Sequence, residues 1–193
     1  MSVYFAAYAI ILFAGLYSKF LKDEKTKKRV ICFTGFLVVF LVLALRHQRM
    51  GIDLKYRQMY GYLWSFDMIG KASWDLVLRS HSFLNYERGY MTFNKLVSAF
   101  TKDRNVFMAI CAFLSVAPVF IFIYKKSKRP LMSIIIYLGL PVFLICFSGL
   151  RQGIAIGFTV LSMFLVEKKK PIIFVLLIIF IKQLFHVYFS IDK

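Results

Sequence analysis

The segment RHQRMGIDLKYR, Arg46–Arg57, packs three arginines and one carboxylate, Asp53, into twelve positions around a glycine. Guanidinium groups keep their charge and bind phosphate oxygens as planar forks, so Arg46, Arg49 and Arg57 suit a phosphate or diphosphate head group. The plainer reading is a solvated loop held to anionic lipid heads. A second segment, FSGLRQGIAIGF, Phe147–Phe158, sets Arg151 and a glutamine in an apolar stretch. A charge near a bilayer centre costs about 2.5–3.5 kcal/mol on insertion scales. Arg151 therefore belongs at a membrane edge, either snorkelling from a helix end or facing a cavity. Lys182, Gln183, His186 and Ser190 follow i, i+1, i+4, i+8 spacing, a polar stripe suited to lining such a cavity. Arginines, one or two carboxylates and a histidine at one membrane level form a kit for glycosyl transfer. A base would activate an acceptor hydroxyl while cations stabilise a departing diphosphate.

These groups need elements to bring them together, and composition names the class. The 193-residue chain is 60% hydrophobic and 18% aromatic, with mean hydropathy +0.70 and net charge +17. A water-soluble domain could hardly hide so much apolar surface, so the expected fold is all-α, a polytopic transmembrane helical bundle. Six stretches approach the roughly 17–25 residues needed to span a bilayer: 2–21, 30–45, 106–124, 131–148, 150–166 and 171–189. The second and fifth are slightly short. The short connections Lys19–Arg29, Lys125–Pro130 and Glu167–Pro171 occupy alternate gaps and hold thirteen Lys/Arg against three acidic residues. The positive-inside rule makes them cytoplasmic and puts the N-terminus outside. The long segment 46–104 becomes an extracytoplasmic loop, and the turn at Arg151 and the end near His186 face the same side. The whole chain, 1–193, reads as one integral membrane domain, with the first span a retained anchor.

Within the outer loop, Tyr56, Tyr60, Leu63 and Trp64, then Tyr90, Phe93, Val97 and Phe100, recur at helical spacing, as in amphipathic helices lying at the interface. Gly149, Gly153 and Gly157 bare one helix face for close packing. Cys32, Cys111 and Cys146 stand alone in apolar runs and read as buried, inert thiols. There is no Walker sequence, HExxH or GxSxG, so ATP-driven transport, zinc proteolysis and serine hydrolysis have no support. The basic residues cluster between apolar segments and not along one face, which argues against nucleic acid. No metal or cofactor is required.

Four pieces in order, LRHQRMGIDLKY, YERGY, LRQGIA and LFHVYFS, resemble the EpsG family of bacterial exopolysaccharide and capsule polymerases, similar in role to Wzy O-antigen polymerases. The matching positions are Arg46, Asp53, Glu87, Arg151, Gln152 and His186. The resemblance implies a polymerase that joins lipid-diphosphate-linked oligosaccharide repeats at the outer face of the inner membrane. Arg46, Arg49, Arg57, Arg151, Gln152 and Lys182 would bind substrate, and Asp53, Glu87 or His186 would act as base. It also implies export and chain-length proteins as partners beside membrane lipids. Leu54 and Ile52 depart from the family's tyrosine and threonine, the Ser-Ala after its histidine is absent, and family members usually continue for several more spans. A truncated, inactive remnant is therefore one alternative expectation, and a transporter or flippase of the same lipid-linked sugar is another.

Overall fold

A computed structural model describes residues 2–48, 50, 61–79, 86–167, 172–176 and 179. Among the described residues the regular elements are all helices: α1 (Ser2–Ser18), α2 (Glu24–Ala44), α3 (Tyr62–Lys71), α4 (Trp74–Arg79), α5 (Arg88–Phe100), α6 (Arg104–Lys126), α7 (Pro130–Gly139), α8 (Pro141–Ser148) and α9 (Leu150–Glu167).

α2 starts inside the basic stretch and not at Val30. The Asp23 carboxylate accepts hydrogen bonds from the backbone N–H groups of Lys25 at 3.2 Å and Thr26 at 3.0 Å, which satisfies two of the donors that a helix start leaves open. With 21 residues α2 is about 31 Å long, enough to match a hydrocarbon core.

α6, with 23 residues, is the one described helix long and apolar enough to cross a membrane unaided. The stretch 131–148, expected as one span, is broken into α7 and α8, which pass that test only together and are bent by 61°. The cause is local. Pro141 has no N–H to continue the ladder and crowds the residue before it, which lies extended at φ −82° and ψ 148°. α1 and α9 are apolar over shorter lengths, Val3–Ser18 and Leu150–Phe164. The expectation of six full spans thus meets one unbroken candidate and one bent pair among the described residues. Most of the sixth stretch, 171–189, lies outside them.

Helices α1, α2, α6, α7 and α8 interlock around Ile11, Val39, Leu43, Val116, Phe120 and Ile134. Where surroundings are as apolar as the side chains, close fit holds helices together. α9 lies on α6 along its glycines. A Cβ at Gly153 would stand 2.8 Å from Ser115 Oγ, and one at Gly157 would strike the Leu114 carbonyl oxygen. That carbonyl is the one left without a helical donor by Pro118, four residues on. The expected glycine seam is therefore where α9 meets α6 around Pro118.

α3 and α5 fold against each other as a cap over the start of α6. Phe66 stacks on Phe107, centroids 4.2 Å apart and planes 15° from parallel. Tyr62, Leu63, Tyr90 and Val97 join Phe107, Met108 and Cys111 of α6 and Leu150 and Ile154 of α9 in one buried cluster. Arg104, opening α6, donates from Nε to Asp67 of α3 at 3.0 Å and also pairs with it through Nη2. Lys95 Nζ closes the end of α3 by donating to the carbonyls of Gly70 and Ala72, at 3.0 and 2.7 Å. The aromatic face expected to lie on lipid is mostly turned inward. Tyr90 and Val97 are buried and Phe93 half-buried, and only Phe100 stands exposed, because α3, α5 and α6 offer each other apolar faces. Tyr56 and Tyr60 lie outside the described residues.

The bundle has two distinct ends. Lys25, Lys28 and Lys128 line one cleft, so the α1–α2 and α6–α7 turns meet at the basic end. Arg46, the cap and the α8–α9 junction occupy the other. Cys32, Cys111 and Cys146 are free and buried, as expected from their apolar settings.

Candidate functional site

Arg151 is the second residue of α9, just after Gly149 separates α9 from α8. Its Nη1 donates to both carboxylate oxygens of Glu87, at 2.9 Å to Oε1 and 2.7 Å to Oε2. Its Nε donates to the Tyr62 hydroxyl at 3.1 Å, and the guanidinium carbon sits 5.3 Å from the Tyr86 ring centre. Tyr62 and Tyr86 are themselves stacked, 5.7 Å apart and 26° from parallel, and Tyr90 meets both rings. Three helices thus supply one enclosed group: α9 the cation, the N-terminus of α5 the anion, α3 and its neighbours the aromatic wall.

Glu87 is the N-cap residue of α5, with extended backbone at φ −64° and ψ 143°, yet its side chain makes no capping bond. The carboxylate is directed to Arg151, while the positive end of the α5 dipole lies behind it. Only 8% of the Glu87 side chain and 17% of the Arg151 side chain are exposed. In such surroundings a pair with two hydrogen bonds and a stacked ring is held in one orientation. Burial also pushes the Tyr90 phenol well above its usual range, so it stays protonated beside the pair.

Arg46 follows α2 and is 6% exposed. Its Nη1 donates to the Cys146 carbonyl at 3.2 Å and to the Phe147 carbonyl, and its guanidinium lies 5.0 Å from the Phe147 ring centre. These carbonyls belong to the last turn of α8, where unsatisfied oxygens and the helix dipole favour a cation. Burial pulls the guanidinium down to about 10, which leaves it charged at neutral pH. Arg46, expected to hold an anion, is here a fastener of the junction that carries Arg151. Gln152 lies half-buried on the first turn of α9, its amide oxygen against Gly149.

Thus the fold joins Arg151 with Glu87, places Gln152 beside them, and uses Arg46 one turn away in the same junction. Asp53, His186, Arg49, Arg57 and Lys182 lie outside the described residues. Among the described residues no group of three His, Cys, Asp or Glu could hold a metal ion.

The model of the family described as EpsG family matches residues 29–191. The chain belongs to the EpsG family. No curated protein and no solved structure matches it. In this EpsG-family chain the match spans the Arg46 fastener, the whole cap and the Arg151–Glu87 pair.

Sequence reasoning missed Tyr62 and the coupling of residue 87 to residue 151. The pieces YERGY and LRQGIA both carry family resemblance, but no helical spacing relates positions 64 residues apart. It also missed a cavity of about 570 Å3 at the edge of the cap, lined in part by Asp67, Lys71, Lys102 and Arg104. Acid and base there come from α3, the α5–α6 connection and the start of α6, each of which reads locally as solvated charge.

Proposed function

We propose that this EpsG-family chain is a multi-pass protein of the bacterial inner membrane that polymerises lipid-diphosphate-linked oligosaccharide repeats for exopolysaccharide or capsule, outside the cytosol. The observation that carries the reading is the Arg151–Glu87 pair against its tyrosine wall: a fixed cation with a carboxylate on it, at the end of the molecule opposite the lysine-rich turns. The clustering of those turns supports a cytoplasmic basic end, an N-terminus outside, and six crossings in which α7–α8 form one bent crossing.

In this reading the diphosphate of the donor replaces Glu87 on the Arg151 guanidinium, which the tyrosines hold ready for it. The freed carboxylate takes the proton of the acceptor hydroxyl. That oxygen bonds to the anomeric carbon as the bond from carbon to diphosphate oxygen breaks, and the lipid diphosphate leaves with its charge against Arg151. Asp53 and His186 are the competing bases. Gln152, Lys182, Arg49 and Arg57 would contact substrate with Arg151, and Arg46 positions the α8–α9 junction.

The test supplies membranes containing the chain with a lipid-diphosphate oligosaccharide and follows glycan length. Growth should vanish in Arg151→Ala, and Glu87→Gln should slow it by about 10²–10⁴-fold, the usual contribution of a positioned base. Full growth in Glu87→Gln assigns the base to Asp53 or His186. Movement of the lipid-linked sugar across the bilayer without any growth overturns the polymerase reading in favour of transport.

A further inference from the structure

A second site lies far from Arg151, along the outer flank of the α2–α6 pair. A groove of about 630 Å3 runs there between the two helices, lined among others by Arg29, Phe33, Phe113, Ala117, Ile121 and Lys125. Two properties distinguish it from an ordinary lipid-facing seam. Its floor and walls are apolar and open, with Phe33 64% and Phe113 51% exposed. Both of its cations sit at one end, the basic end of the bundle, and no acidic residue is among its lining.

The rings also hold the groove in shape. Phe36 meets Phe113 and Phe120 edge to face, at 6.1 and 6.0 Å, which bridges α2 to α6 beneath the open flank. At the basic end Lys28, which does not line the groove, holds its Nζ 5.7 Å from the Tyr124 ring centre. An apolar trough that ends in a pair of cations at the headgroup level is complementary to one kind of molecule. Its acyl chain lies along the rings and its phosphate meets the guanidinium and ammonium groups.

We infer that the α2–α6 groove binds an anionic phospholipid of the cytoplasmic leaflet, phosphate at Arg29 and Lys125 and one acyl chain along Phe33, Phe113 and Ala117. The inference rests on the membrane placement proposed above, with lysine-rich turns in the cytosol, but not on polymerisation. Zwitterionic lipid carries the same phosphate, but with a choline cation beside it that the Arg29 and Lys125 charges disfavour, so selectivity for a net-anionic head is the measurable signature.

The full chain is reconstituted into phosphatidylcholine vesicles containing a trace of phosphatidylglycerol with a photoactivatable group on its acyl chain, and cross-linked peptides are mapped by mass spectrometry. Adducts should concentrate on the α2 and α6 peptides that hold Phe33 and Phe113. Their yield should be about thirtyfold above that of a phosphatidylcholine probe with the same acyl label, as two cations at about 1 kcal/mol each imply. The double variant Arg29→Gln, Lys125→Gln should bring the two probes to equal yield. Ala117→Trp, which fills the trough without touching charge, should lower both. Equal yields in the unaltered chain, adducts spread evenly over the other helices, a preference that survives the double variant, or yields unchanged in Ala117→Trp overturns the inference. Helix content by circular dichroism checks each variant for folding; if the double variant fails it, the comparison of the two probes and Ala117→Trp still decide. Glycan growth measured on the same vesicles is a separate readout, so loss of lipid selectivity with growth intact removes this site and leaves the polymerase reading standing.

Discussion

The pair between Glu87 and Arg151 gives the sharpest test of how the cap is held to the bundle. The carboxylate and guanidinium are 8% and 17% exposed and share two hydrogen bonds of 2.7 and 2.9 Å. Removing one member of a fully buried pair costs about 3–5 kcal/mol, chiefly because the other is left charged without a partner. Residual exposure and the Tyr62 hydroxyl, which stays with Arg151, reduce that to about 2–3 kcal/mol for Glu87→Ala. Arg151→Leu strands Glu87 in its place and loses the contact with Tyr86, for a similar cost. The double variant leaves neither charge behind, so its cost should fall short of the sum by about 2 kcal/mol. The assay is reversible unfolding of the four proteins in mild detergent, followed by tyrosine signals in near-ultraviolet dichroism, since Tyr62, Tyr86 and Tyr90 surround the pair. A coupling below about 0.5 kcal/mol, the value for exposed pairs, would refute the reasoning.

Other expectations follow from packing and capping. Gly157→Ala should destabilise by about 1–3 kcal/mol, because its methyl group meets the Leu114 carbonyl and backbone cannot yield; Gly35→Ala, which meets only the ends of Ile134 and Phe120, should cost less in the same thermal unfolding series. Phe66→Ala should cost about 3–5 kcal/mol by emptying the stacked site on Phe107 and should loosen the cap before the bundle, visible as earlier loss of amide protection in α3 and α5 than in α2. Hydrogen bonds from the Thr26 hydroxyl and then the Thr26 and Lys25 amides hold the Asp23 carboxyl below its ordinary range. A lowered folded value means the cap's contribution is present above the unfolded carboxyl pKa and lost as pH falls through the folded one. The stability gap between the native chain and Asp23→Ala should therefore close on acidification, and a gap independent of pH would count against the cap.

Local signals carried much of this architecture. Helical spacing and runs of apolar residues mark α1, α6 and α9, and four-residue glycine spacing marks the α9 face that meets α6. The start of α2 was less visible, because lysines and an arginine after Asp23 look like a loop until the cap at Thr26 is considered. The bend at Pro141 was written in LGLP, yet continuous hydropathy from 131 to 148 hides it, since a proline interrupts hydrogen bonding without interrupting apolarity. At the site, charge type marked Arg46 and Arg151, and the family resemblance marked Glu87, but their partners are tertiary. That Arg46 would meet main-chain carbonyls of α8, and Arg151 a carboxylate from α5, depends on which helix ends the fold brings together. The inward turn of Tyr90 and Val97 has the same cause: an amphipathic face reads alike whether lipid or another helix covers it.

The links that fasten the cap also set an order of synthesis. Glu87 waits 64 residues for Arg151, Tyr62 waits 89, and Arg46 waits 100 for the Cys146 carbonyl. A nascent chain emerges in that order, so neither early charge has its mate when it leaves the ribosome. Until the junction at Gly149 has been made, Glu87 and Arg46 must be kept wet by solvent or attended by the insertion machinery. The cap therefore closes late, when the first turn of α9 arrives, and a ribosome stalled before that point would display an unfinished cap.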